Sequence, residues 1–202
     1  MHRRSSFLLC LAVLAGCGAS GELRSKPPVG FTLRVVKGSG LAIALPKRWR
    51  SLDRNTALRD ERLSRFAKAN PRLRAELQAL AGPQSPIQLI AVDLAGGQSF
   101  RANMNVIQTR VPKSLSFEQL SRNEPTQIKL VSSVQNMRQA TVALPAGRAL
   151  RLRYDVQERG VVHQYFVKHE ELLYVLTYTT SAGAAPRYAK IFDVSAHTFQ
   201  LR

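Results

Sequence analysis

The chain has 202 residues, with 30 Lys and Arg against 13 Asp and Glu, a net charge of +17 and 45% hydrophobic residues. Its two cysteines, Cys10 and Cys17, give no disulfide framework, so the chain must be held by an apolar core. Such basicity first raises nucleic acid, where clustered Lys and Arg neutralise phosphates, while the dispersed arginines, which form no dense tract, equally suit a solvated basic surface with no specific anion.

The chain opens on His2-Arg3-Arg4 and an apolar run from Phe7 to Ala15, and Leu14-Ala15-Gly16-Cys17 closes it. A basic start, a short apolar core and small residues behind it make a secretory signal. The run is too short to cross a bilayer core, which takes about 20 apolar residues. Residues 14–17 resemble the lipobox of bacterial lipoproteins. That resemblance implies removal of residues 1–16 as a signal peptide and a diacylglyceryl group on Cys17, the new first residue. The other reading is an ordinary secretory signal cut after Ala15 or Ala19. On the lipobox reading one thiol remains, which leaves neither an intramolecular disulfide nor a cysteine-ligated metal site. Two acyl chains, at roughly 0.8 kcal/mol per buried CH₂, hold a protein stably to a membrane where one is marginal. The expected location is therefore extracytoplasmic, lipid-anchored to the bacterial cell membrane. The remaining chain keeps 28 Lys and Arg against 13 acids, a net +15. Its anionic partners there are lipid headgroups or acidic wall polymers, with no nucleic acid.

Residues 17–30 are rich in Gly, Ser and Pro and read as a tether. Residues 31–202 show no second break and no internal repeat, as for one domain. Phe31 to Lys37 alternates apolar and polar residues, Gly38-Ser39-Gly40 is a turn, and Leu41 to Leu45 is an apolar strand stopped by Pro46: an opening hairpin. Residues 55–81 change to helical spacing and are split by Asn70-Pro71 into two helices. Ile87 to Leu94 and Ala102 to Thr109 form a second hairpin around Gly96-Gly97. Ser116-Phe-Glu-Gln119 is a capping box, and Pro125 predicts a break or kink before helix resumes through Ile128 to Val131. Four strands follow at Met137–Leu144, Arg148–Gln157, Val161–Lys168 and Leu172–Thr180, an antiparallel meander, and Ala185 to His197 is a closing helix. The class is α+β, an antiparallel sheet flanked by helices.

Leu41-Ala-Ile-Ala-Leu-Pro-Lys-Arg-Trp49, Leu144-Pro-Ala-Gly147-Arg-Ala-Leu-Arg-Leu-Arg-Tyr154 and Gln164-Tyr-Phe-Val, followed by Leu173-Tyr-Val-Leu-Thr-Tyr178, occur in an order that resembles the PsbP-like fold. The resemblance covers roughly residues 31–202. It implies an α/β/α sandwich of the kind found in PsbP, a nuclear Ran-binding factor and envelope lipoproteins of the LpqN type. It also implies a non-enzymatic domain that docks on partners, and it transfers no binding residue.

The chemistry-bearing residues agree with that. Trp49, just past a strand-ending proline, reads as a core plug. His163 and His169 share parity on one strand but stand near 20 Å apart at about 3.3 Å per residue, too far for one metal ion. No nucleophile elbow, zinc-protease motif or phosphate-cradling glycine loop is present, and no cofactor is expected. Asp60-Glu61 and Glu170-Glu171 point apart and make no acid/base dyad. Arg151 and Arg153 share one strand face opposite Leu150, Leu152 and Tyr154, the alternation of a sheet with one wet side. The sharper reading is an anion-binding stripe of Arg151, Arg153 and Lys168 with the Lys47, Arg48 and Arg50 cluster. Two functions remain. One is a lipid-anchored domain that docks on an envelope protein or an anionic lipid or wall polymer, marked by an exposed apolar patch or convergent arginines. The other is a small envelope hydrolase or ligand carrier, marked by a deep pocket holding His163 or His169 with a carboxylate.

Overall fold

The structure is a computed structural model that describes residues 26–53, 75, 78, 82, 85–93, 102–131, 133–157 and 160–202. The signal segment, most of the tether, the paired helices expected over residues 55–81 except residues 75 and 78, and the Gly96-Gly97 turn lie outside the described residues.

The opening hairpin forms as expected: β1 (Phe31–Val36) pairs antiparallel with β2 (Leu41–Pro46). Alternation of apolar residues then organises a second, larger sheet. It comprises β3 (Trp49–Asp53), β4 (Ile87–Asp93), β5 (Ala102–Arg110), β6 (Val134–Leu144), β7 (Gly147–Val156), β8 (Gly160–His169) and β9 (Leu172–Thr180). Their order is β3-β4-β5-β9-β8-β7-β6, with neighbouring strands antiparallel, so the expected meander β6 to β9 makes four of the seven strands. Helix α1 (Phe117–Val131) and helix α2 (Ala185–Ala196) cover opposite faces, and a final short strand, β10 (Gln200–Leu201), joins β2. Strands β3 and β10 carry no separate signal in the sequence. Among the described residues no helix is long and apolar enough to cross a membrane.

The two faces hold separate cores. Leu150, Leu152, Tyr154, Val162, Phe166 and Leu173 pack beneath α1 with Leu120. Tyr165, Val167, Leu176 and Tyr178 face the other way, toward Trp49, Tyr188, Phe192 and Phe199. The expectation of one wet side is thus corrected in part: on β5, β8 and β9 the face that bears Arg151 and Arg153 is buried against Tyr188 and Phe192 of α2 and against β2, and it is wet only toward β6 and β7, where Arg153 is exposed and Arg151 half-buried.

Helix α1 also corrects an expectation. The capping box forms, with the Ser116 amide donating to Gln119 Oε1 at 2.7 Å and the Gln119 amide to Ser116 Oγ at 3.1 Å. Yet the helix continues through Pro125 without a break. Proline removes the N–H that would bond the carbonyl four residues earlier. That carbonyl, on Ser121, instead accepts from Gln139 Nε2 of β6 at 3.0 Å, so the sheet supplies the missing donor.

Helix α2 is pinned to β2 by a polar pair inside the core. Thr198 Oγ1 accepts from the Ala44 amide at 2.7 Å, and Ser195 Oγ donates to the Ala44 carbonyl at 2.7 Å. Thr198→Val leaves the Ala44 N–H without that acceptor, and thermal or urea unfolding is expected to show a loss of about 1–2 kcal/mol. At Gly160 the backbone has φ +87° and a Cβ would lie 2.1 Å from the Thr180 carbonyl oxygen, so only glycine fits. Gly160→Ala is expected to cost about 2 kcal/mol in the same measurement, through strain and the forced separation of β8 from the end of β9.

Candidate functional site

On the α2 side, the sheet register places side chains in rows that cross the strands. One row runs Met104, Tyr178, His163, Arg153 and Arg138 from β5 to β6; the next runs Val106, Leu176, Tyr165, Arg151 and Ala140. Each row starts in the apolar core, and both turn cationic on β7, where Arg151 is half-buried and Arg153 exposed. The result is a cleft of about 190 Å³ between α2 and strands β6 to β8, lined by Arg138, Arg151, Arg153, His163 and Asp193 among others.

Arg138 reaches this cleft through a bulge. Val134 and Met137 both pack on the α1 side, which strict alternation forbids, and the β6–β7 register shifts between Gln135 and Arg138. Asn136 has φ +52° there, and its Nδ2 donates to Asp155 Oδ2 at 2.7 Å. The extra residue turns Arg138 to the α2 side, where it stands opposite Arg153.

His163 is buried, its ring edge-on to Phe192 with centroids 5.4 Å apart. Burial pushes its imidazole down to about 4; Asp193 opposes this, and Arg153 and Arg151 reinforce it. Its Nδ1 has no hydrogen-bond partner among the described residues. Asp193 accepts a hydrogen bond from the Tyr165 hydroxyl and lies 3.6 Å from Arg151 Nη1. Burial, and then that bond to Asp193, hold the Tyr165 hydroxyl protonated far above the usual tyrosine range.

Of the residues expected in an anion-binding stripe, the fold brings together Arg151 and Arg153. Lys47, Arg48, Arg50 and Lys168 do not line the cleft. Arg48 pairs at 3.0 Å with Asp93, a buried carboxylate that also accepts from Tyr188, so this arginine holds the β2–β3 corner to α2. Lys47 and Arg50 are exposed at that corner. Lys168 belongs to the opposite parity of β8, and its Nζ donates to the carbonyls of Glu170 at 2.6 Å and Lys113 at 3.3 Å. His169 is exposed, far along the strand from His163. Sequence reasoning missed Arg138 and Asp193. The first depends on the bulge, and the second is a lone acid on a helix whose facing strand pattern alone does not give.

No family model matches the chain, and no curated protein matches it. Solved structures do. Cyanobacterial PsbP (CyanoP) from Synechocystis aligns with a TM-score of 0.55 at 14% identity, over 94% of this chain and 99% of that one. LpqN of Mycobacterium tuberculosis, described as involved in cell envelope biogenesis, aligns at 0.51 and 11% identity, over 85% and 91%. The Ran-binding protein Mog1p of Saccharomyces cerevisiae aligns at 0.51 and 7% identity, over 85% and 95%. The chain therefore has the PsbP-like α+β sandwich fold.

Proposed function

We propose that the protein is a lipid-anchored extracytoplasmic docking domain of the bacterial cell envelope, non-enzymatic, that holds an envelope protein or an anionic envelope component at the α2-side cleft. The observation that carries this reading is the convergence of Arg138, Arg151 and Arg153 on one small cleft with a single carboxylate, Asp193, among its lining residues. The lipobox ending at Cys17 and the Gly, Ser and Pro-rich tether supply the anchor. The binding and envelope roles named for Mog1p and LpqN, which share the fold, support the same class.

The cleft also contains a histidine and a carboxylate, the pair that marks the hydrolase alternative. Their arrangement argues against it. Asp193 is held by Tyr165, and His163 Nδ1 is not bonded to it, so among the described residues no acid orients the imidazole through Nδ1 as a catalytic triad requires.

The anchor is tested by labelling cells with radioactive palmitate. The wild type takes up label and sediments with membranes, whereas Cys17→Ala stays unlabelled and is either released or left unprocessed. A Cys17→Ala protein processed normally and retained on detergent-extractable membranes contradicts the anchor.

A further inference from the structure

Arg138 and Arg153 stand directly opposite each other on β6 and β7. Cross-strand Cβ atoms in such pairs are about 5 Å apart, and like charges there repel. Neither arginine has a carboxylate partner among the described residues. Among the described residues Arg151, two residues along on the same face, reaches only Asp193, at 3.6 Å, and that oxygen already accepts from Tyr165. In a chain this basic, unpaired arginines on open surface are ordinary. Two of them set in register by a bulge, beside a third and above a buried imidazole whose Nδ1 has no partner among the described residues, form a site whose charge those residues leave uncompensated.

From this juxtaposition we infer that the cleft binds a phosphoryl group, presented as a phosphate monoester, between Arg138, Arg151 and Arg153. Three guanidinium groups and one carboxylate leave the cleft with two positive charges. A phosphate monoester carries about −1.5 to −2 at neutral pH and offers three acceptor oxygens, which guanidinium forks match. A volume of about 190 Å³ is ample for the phosphoryl group, and the cleft is open to solvent on the side where the exposed Arg138 and Arg153 stand, which leaves room for what bears it. The inference names a ligand class for the site of the docking reading but rests on the geometry of the cleft, with or without an anchor.

Titration calorimetry of inorganic phosphate into the full chain in non-ionic detergent is expected to give one saturable site. Arg138→Gln with Arg153→Gln weakens it by about tenfold or more, from the loss of charge-assisted hydrogen bonds. Lys37→Gln with Lys129→Gln removes equal charge from the β1–β2 turn and α1, and changes binding by about twofold at most. Both arginines are exposed, and a circular dichroism melt verifies that the variant folds. Succinate, a dicarboxylate of similar charge, binds more weakly than phosphate.

Phosphatidylcholine vesicles containing phosphatidic acid separate the sources. Vesicle binding lost in the arginine variant and kept in the lysine variant assigns a lipid headgroup. Unchanged vesicle binding beside lost phosphate binding assigns a soluble or polymer-borne phosphate. No saturable phosphate site, equal loss in both variants, or tighter binding of succinate overturns the inference. A phosphate failure beside a partner captured at the cleft overturns the ligand class alone and leaves docking in place.

Discussion

Trp49→Ala lowers the unfolding free energy by about 3–5 kcal/mol, a large share of the 5–15 kcal/mol that holds a typical domain. Trp49 begins an edge strand, yet it is 2% exposed and sits against Tyr188 and Phe192 with ring centroids 6.4 and 6.3 Å away. It fills the angle between the large sheet and α2, in the same cluster as Leu41, Ile43 and Leu45 of the small sheet. Its loss therefore opens a cavity where three layers meet, and core packing density leaves neighbours little freedom to collapse into it. Trp49→Phe separates packing from polarity. The indole Nε1 has no hydrogen-bond partner among the described residues, so phenylalanine loses volume but also removes a buried, unsatisfied donor. Urea unfolding followed by far-ultraviolet circular dichroism is expected to place Trp49→Phe much nearer the wild type than Trp49→Ala. Equal losses in both variants mean that something other than the filled volume matters at this position.

Acidification between pH 6.5 and 4 removes about 3 kcal/mol of stability through His163 alone. The folded imidazole titrates near 4 and the unfolded one near 6.5, a gap of about 2.5 units at 1.36 kcal/mol each. Between those values the unfolded chain binds a proton that the native chain refuses. The stabilisation is therefore complete above pH 6.5 and disappears as pH falls toward 4. The groups that face the ring set this balance: Arg151 and Arg153 on β7, Tyr178 opposite on β9, and Phe192 and Asp193 on α2. Burial lowers the value most, the two arginines add to it, and Asp193 alone pulls the other way. In urea titrations across this range, His163→Leu is expected to flatten the slope by about one proton. An unchanged slope in that variant shows that His163 is not the responsible group.

The meander, the capping box and the closing helix were all legible because each rests on local pattern: alternation, a Ser-x-x-Gln spacing, and Tyr188, Ile191 and Phe192 on one helical face. What escaped depends on partners distant in sequence. Pro125 is a helix breaker until Gln139, fourteen residues later, supplies a donor to the Ser121 carbonyl. Strand β10 is two residues long and exists because β2 has an open edge beside it. Arg151 and Arg153 were visible as a pair, but the cleft they share with Arg138 was not. The bulge at Asn136 changes which side of β6 its residues face, and strict alternation puts Arg138 on the α1 side with Val134. Arg48, grouped by sequence with the anion-binding residues, is instead committed to buried Asp93, a pairing 45 residues apart that no local pattern reveals.

If the domain meets its partner in the cleft between α2 and strands β6 to β8, a reactive group on the wall of that cleft must capture that partner. A diazirine side chain placed at Ala189, on the α2 wall of the cleft, and activated in living cells tests it most directly. A discrete, reproducible adduct is expected, with a yield that falls when Arg138 and Arg153 are changed to glutamine and persists when Lys37 and Lys129 are changed instead. No adduct from Ala189, or an adduct indifferent to both arginines, contradicts docking at this cleft.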